Sequence, residues 1–453
     1  MSHTSVRVWN VILGLTCGAL ASSVHAAGFA LIENSASGQG NAYAGAAAVA
    51  EDASTIFFNP AGMTRLSSRQ IVAAGHVIYT KADFTNQGST HALGGDLNGG
   101  NDDPGGTAFV PNFYYVQPMQ NGWSFGLGAN APFGLATEYD DDWVGRYHAV
   151  ISDLKTVNIN PSIAWKATDA LSLGAGISVQ YVDVTLSSAV DFGAICYAFL
   201  GPASCDASGY FPQLSDGFAD LTGDNGSDLS WGFNLGLLYE LNPATRVGLA
   251  YRSEIDHHVD GKADFTVPAA GAFALANGLF VDTGVKADVT MPQSVSLSLY
   301  HDLDSKLALL ADVTWTGWGT FEELRIRYDN PGQPDSVTTE NWENTWRYSL
   351  GAIYKLNSAW LLRGGLAYDE TPIPDAEHRT ARIPGNDRTW ISLGTSWMYS
   401  KALTFDVGYS HLFIPDTKTN NTLESSIPTL AATLKGNYEA SVDILSAQVR
   451  WNF

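Results

Sequence analysis

From Leu171 to Tyr181 every second residue is apolar. Leu171, Leu173, Ala175, Ile177, Val179 and Tyr181 alternate with Ser172, Gly174, Gly176, Ser178 and Gln180. A period of two puts alternate side chains on opposite faces of an extended strand. Trp231, Phe233, Leu235, Leu237 and Tyr239 repeat the pattern against Gly232, Asn234 and Gly236. Val295, Leu297 and Leu299 repeat it against serines. The chain ends with Leu445, Ala447, Val449, Trp451 and Phe453 on one face and Gln448, Arg450 and Asn452 on the other. A soluble sandwich also alternates, but its strands average about five or six residues. These runs are longer, their second face is rich in Gly and Ser, and they end in the Trp and Tyr that favour a membrane interface. The pattern predicts an all-β chain of fourteen antiparallel transmembrane strands forming a barrel, near 69–84, 107–118, 123–135, 154–166, 171–189, 229–242, 245–265, 284–303, 306–328, 340–357, 360–371, 388–400, 403–415 and 434–453.

The connections alternate as well. Tight turns such as 119–122, 241–244 and 399–402 separate long loops at 85–106, 136–153, 190–228, 266–283, 329–339, 372–387 and 416–433. Short turns on one side and long loops on the other are the outer-membrane arrangement, and an even strand number returns both ends of the barrel to the periplasm. Two long loops are unusually apolar. Phe199, Leu200 and Phe211 lie in 190–228, and Phe273, Leu275, Leu279 and Phe280 in 266–283. Such loops make either a packed lid or an apolar patch that gathers ligands.

Two segments precede the strands. Residues 1–26 read as a cleaved export signal: Arg7, an apolar stretch from Val8 to Ala21, and the small-x-small site Val24-His25-Ala26. The segment 27–67 differs from the barrel at 68–453. Residues 27–66 contain 11 Ala and 5 Gly without sustained alternation. Small residues let surrounding walls approach closely, and Phe29, Leu31, Tyr43, Phe57 and Phe58 oppose a disordered tail. The expectation is a plug, or hatch, in the lumen. Its Asn59-Pro60-Ala61 fixes a turn.

Charge narrows the function. Leaving out Arg7, 23 basic residues face 46 acidic ones, a net charge of −23. That excludes a nucleic-acid partner, which needs a basic footprint. Cys196 and Cys205, in one exported loop, are expected to form a disulfide. Within the strand 123–135, Ala131-Pro132-Phe133-Gly134 interrupts the ladder, either ending the strand or kinking it to open the wall. Arg325, Arg347, Arg363, Arg379 and Arg388 fall in or beside C-terminal strands, where Asp369, Asp375 and Asp387 are the expected bracing partners. Gly122-Trp123-Ser124-Phe125-Gly126 matches a hydrolase elbow in letters only, since a turn precedes it and a strand follows. The recurring aspartates at 216, 220, 224 and 228 lack the glycine of a calcium loop and are expected to be a solvated loop. No catalytic constellation, metal site or cofactor is expected.

The segment AGFALIENSASGQGNAYAGAAAVAEDASTIFFNPAGMTRL resembles the hatch of the long-chain fatty acid outer-membrane transporter family (FadL type). The likeness rests on Ala27-Gly28-Phe29, on Gly38, Gly40, Ala42-Tyr43 and Gly45, and on Asp52-Ala53 and Asn59-Pro60-Ala61. It continues through NAPFGLATEYDDDWVGRY at 130–147, LSWGFNLGLLYEL at 229–241 and LAYDETPIPDAEHRTARIPGNDRTWISLG at 366–394. The resemblance implies a monomeric barrel that passes hydrophobic molecules inward without an energy source. Loops 190–228 and 266–283 would form a capture groove, Phe29 and Arg325 an inner pocket with Arg325 meeting a ligand carboxylate, and residues 131–134 a lateral opening. Expected partners are fatty acids or hydrocarbons, outer-membrane lipid and lipopolysaccharide, and the barrel-assembly machinery. A water-filled diffusion porin and a channel for aromatic hydrocarbons or alkanes are the alternatives.

Overall fold

The structure, a computed structural model, describes residues 28–226 and 229–453. The export signal at 1–26 and Asp228 lie outside the described residues. Several barrel strands run in two pieces separated by a kink or bulge. In chain order the strands are β1 (Gln70–Asn86), β2 (Thr107–Pro118), β3 (Trp123–Asn130 and Gly134–Glu138), β4 (Ile151–Lys166), β5 (Leu171–Asp191), β6 (Asp216–Asp224 and Ser230–Asn242) and β7 (Thr245–Arg252 and Ile255–Thr266). They continue with β8 (Thr283–Met291 and Ser294–Asp302), β9 (Leu307–Thr316 and Glu323–Tyr328), β10 (Ser336–Thr339 and Thr345–Lys355), β11 (Trp360–Asp369), β12 (Arg388–Met398), β13 (Leu403–Phe413 and Thr417–Thr422) and β14 (Thr433–Asn452). Sequence neighbours pair antiparallel all the way round, and β1 pairs with β14 from Gln70↔Asn452 to Asn86↔Gly436. That last ladder closes a fourteen-stranded barrel, as the alternation requires.

The two faces separate cleanly. On β1 His76 and Ile78 point into the lumen, fully buried, while Val77 and Tyr79 point outward. Leu127, Ile159, Leu297, Leu366 and Leu445 continue the outward apolar belt. Near the tight turns, Trp123 stacks on Trp165 at 5.7 Å and Trp360 on Trp397 at 5.9 Å, an interfacial girdle.

The hatch fills the lumen with short helical turns, Ala36–Gln39, Ala46–Val49, Thr55–Phe58 and Pro60–Arg65. The wall's inward glycines receive it. A Cβ on Gly236 would stand 2.0 Å from Asn59 Oδ1, and one on Gly365 2.2 Å from the Asn41 backbone. The glycine-rich inner face of the strands is thus where the plug presses on the wall.

Several long loops are shorter than their sequence implies. Residues 216–224 extend β6 and pair with 183–191 of β5, so Asp216, Asp220 and Asp224 lie on a strand and not in a solvated loop. Residues 336–339 and 417–422 likewise extend β10 and β13. Loop residues also pack inward. Trp143 stacks on Tyr139 at 3.8 Å, and Ile373 and Ile383 join the lumenal core around Phe29.

Candidate functional site

The wall has a notch. β2 pairs with β3 only from Phe113↔Ala129 to Pro118↔Ser124. Beyond Asn130 the strand breaks at 131–133, since Pro132 has no N–H to donate. The second piece, Gly134–Glu138, pairs with β4 alone. Phe133 turns its backbone to Thr156, whose Oγ1 accepts from Phe133 N at 3.0 Å and donates to its carbonyl at 2.6 Å.

The N-terminal arm of the hatch occupies that notch. Leu31 N donates to Pro132 O at 2.8 Å, and Gly134 N donates to Phe29 O at 2.9 Å, making an antiparallel bridge between Ala30 and Phe133. On the other flank, Asn112 Nδ2 of β2 donates to Glu33 O at 2.8 Å. The hydrogen bonds that neighbouring strands would make are made by the arm. Phe29 anchors it, with ring centroids 4.8 Å from Trp318, 5.7 Å from Phe321, 5.8 Å from Trp342 and 6.1 Å from Phe133. Gly28 has φ +58, and a Cβ there would meet Trp318 at 2.6 Å, so only glycine leads into this clamp.

Behind the arm lies a cavity of about 160 Å³, lined by Ala30, Leu31, Pro132, Phe133, Tyr43, Phe58 and Trp318 on its apolar side. Its polar side carries Glu33, Arg252, Asp312, Arg347, Asp369 and Trp390. Arg347 is buried, donates Nη2 to Ala42 O at 2.9 Å and lies 5.1 Å over the Trp390 ring. Its Nε and Nη1, Glu33 Oε2 and Trp390 Nε1 find no hydrogen-bond partner among the described residues. Buried polar atoms without partners are costly, and here they face a space that a polar head group fits.

A second cavity of about 170 Å³ lies on the extracellular side, with Val190, Phe265, Leu279, Phe280, Ile427 and Leu430 among its walls. The loop after β5 carries a helix, Phe192–Leu200, tied to a second, Pro202–Ala207, by the Cys196–Cys205 disulfide. Phe199 touches Phe273 of the next loop at 5.8 Å, and Phe192 touches Phe280 at 5.1 Å. Phe199, Leu200, Phe211, Phe273 and Leu275 are exposed, whereas Phe280 is buried and Leu279 partly so.

Arg325 is not in the inner pocket. It lies on the upper piece of β9, half-exposed, with Nε 2.6 Å from Glu323 and Nη1 3.2 Å from Asp335. Leu324 and Ile326 on either side point inward, so the alternation itself turns Arg325 outward. Arg347, absent from the expected inner pocket, occupies that place. Its flanking Trp346 and Tyr348 are exposed, which could have marked it as inward. The bracing also differs from expectation. Arg379 donates to the carbonyls of Gly385 and Lys418 and not to a carboxylate. Asp387 accepts from Tyr368 and Thr371. Arg388 stands across the ladder from Asp369, with Nε and Nη1 unpartnered. Arg363 does pair with acids, at 2.8 Å to Glu51 of the hatch and 3.6 Å to Asp406.

In the hatch, Asn59 accepts from Ala61 N at 3.0 Å and donates to Ala47 O at 2.7 Å and to Leu237 O of the wall at 2.9 Å. Pro60 opens the turn that follows. Gly40 packs against Gly394 so closely that its Cβ would lie 2.8 Å from that Cα, and Gly38 lies under Tyr43.

Residues 17–453 match the sequence profile of a family described as "Outer membrane protein transport protein (OMPP1/FadL/TodX)". Outer membrane protein P1 of Haemophilus influenzae is 32% identical over 86% of this chain and 87% of its own. The long-chain fatty acid transport protein of Escherichia coli K12 is 30% identical over 90% of this chain and 92% of its own. Among solved structures, a Pseudomonas aeruginosa FadL homologue superposes with a TM-score of 0.85 at 25% identity, covering 94% of this chain and 99% of that one. The Pseudomonas putida toluene transporter TodX gives 0.64 at 15% identity over 94% and 99%, a likeness of fold.

Proposed function

The chain belongs to the outer membrane protein transport family OMPP1/FadL/TodX, whose members carry hydrophobic substrates across the outer membrane, and we propose that it takes up such compounds passively by a sideways route, with long-chain fatty acids as its principal cargo. Ligand gathers in the extracellular pocket between the two apolar loops and passes to the cavity above the hatch. The arm then leaves the notch, and the ligand slips between β2 and β3 into the bilayer without crossing water. One observation carries this reading: the arm fills the gap between β2 and β3, and the cavity it helps to line lies behind it.

Fatty acids are favoured by the relatives named as their transporters and by the unpaired atoms of Arg347, which suit an acidic head group. The toluene transporters share the fold at low identity, which supports aromatic cargo less. A water-filled porin accords poorly with a lumen packed by the hatch. In the same reading the chain acts as a monomer, contacts lipopolysaccharide through its upper strands and reaches the membrane through the barrel-assembly machinery.

A cross-link tests the route. Ala30 and Phe133 form a bridge without mutual hydrogen bonds, the geometry in which Cβ atoms approach most closely. Cells carrying Ala30→Cys with Phe133→Cys should lose uptake of labelled oleate on oxidation and regain it on reduction. Unchanged uptake by quantitatively cross-linked protein would refute the sideways route.

A further inference from the structure

The extracellular pocket is apolar in its walls and one-sided in its charge. Its titratable lining is His91, Tyr147, Asp191, Tyr328, Asp335 and Glu424, and no Lys or Arg lines it among the described residues. His91 Nδ1 accepts the Leu93 N–H at 3.1 Å, which leaves Nε2 to donate to Asp191 at 3.0 Å. Asp191 is buried and also accepts from Ala194 N and Gln213 N. Asp335 shares Arg325 with Glu323. Glu424 accepts from Thr339 N at 2.7 Å, and no ion pair neutralises it. The tyrosines are neutral, and Tyr147 spends its hydroxyl hydrogen on Asp216.

A carboxylate entering this pocket would give up water for apolar walls and face the carboxylates of Asp191, Asp335 and Glu424, with no Lys or Arg in the lining among the described residues. Arg325 behind Asp335 and Arg146 behind Tyr147 are already paired with Asp335 and Asp216. An uncharged molecule of the same length meets the same walls without that opposition. We infer that the extracellular pocket is a charge filter: it admits hydrophobic ligands that carry no negative charge, and a fatty acid passes it as the protonated acid. The inference rests on the reading of this pocket as the capture site. Arg347 of the inner cavity, with Nε and Nη1 unpartnered among the described residues, is then the cation that receives the head group after capture.

Two dyes of similar shape separate charge from hydrophobicity. Phenylnaphthylamine is neutral, and anilinonaphthalene sulfonate keeps its negative charge at any working pH. With the full protein in neutral-lipid nanodiscs and empty nanodiscs subtracted, the anionic dye should bind at least about tenfold more weakly than the neutral one. Glu424→Gln combined with Asp335→Asn should strengthen binding of the anionic dye about fivefold or more and leave the neutral dye within about twofold. Equal affinity for both dyes in the unaltered protein overturns the filter, as does an anionic dye that gains nothing from the substitutions. Absence of binding by either dye sinks the capture reading itself.

Discussion

The arm of the hatch, 28–34, and its body, 35–66, occupy the same lumen on different terms. The body is held to the wall around most of its circumference. Gln448 accepts from Ala36 N, Gln39 donates to Ile444 O, Ser298 accepts from Ala47 N, Arg246 donates to Ala48 O, and Arg363 holds Glu51. Asp52 is enclosed by Ser37, Ser54 and Gln448. The arm has two main-chain bonds to the notch, side-chain bonds from Asn112 and Tyr114 of β2 to Glu33 O and Asn34 Oδ1, and the ring contacts of Phe29. Local stability follows the number of such ties. On the proposed route the body serves as a floor and the arm as the moving part, so a gate need not move the whole plug.

Breaking the body should cost most. Arg363→Ala leaves Glu51 and Asp406 without the cation that pairs with both, and stranding a buried charge costs about 3–5 kcal/mol. The expected outcome is a barrel that still assembles but leaks, read as sensitivity of cells to large antibiotics and as a lowered unfolding temperature. Tight cells and an unchanged unfolding temperature would show that the floor does not depend on this pair.

Breaking the arm should cost less overall and act elsewhere. Phe29→Ala removes a side chain enclosed by three aromatic residues of the far wall, a change worth up to about 3 kcal/mol to arm docking. A spin label on Ala30→Cys should become mobile while the barrel's unfolding temperature stays in place. A fall in that temperature as large as the Arg363→Ala fall would erase the distinction between arm and body.

The smallest effect is at the edge of the clamp. Glu340, at the bulge of β10, accepts from Trp342 Nε1 at 3.0 Å, a bond worth about 1 kcal/mol. Glu340→Ala should remove that acceptor, and the same spin label should loosen less than in Phe29→Ala, while Glu340→Gln, which keeps an acceptor oxygen, should leave it nearly unchanged. A label equally immobile in all Glu340 variants would show that this bond does not steady the clamp.

The barrel was legible because lipid forces a period of two on every strand it touches. The upper pieces at 216–224, 336–339 and 417–422 lack that plain period and read as loop. Arg325 was misplaced because its pocket role came from the resemblance alone, whereas its neighbours Leu324 and Ile326 carry the inward face. The plug was legible in its small residues and the notch in Pro132. The arm's place in the notch was not, because backbone amides and carbonyls make that contact and leave no trace in side-chain identity. Arg347 stands in a clear alternating stretch, and only its register with the hatch reveals which cavity it serves.

The ladder between β1 and β14 also sets an order of events. It joins the first strand to the fourteenth, so the cylinder cannot seal until β14 is in place. The floor hangs from both sides of that seam, through His76 to Gln39 and through Gln448 to Ala36. Its ties to the two strands can therefore all be made only once that ladder has brought them side by side, and closing the wall and fixing the floor become one event.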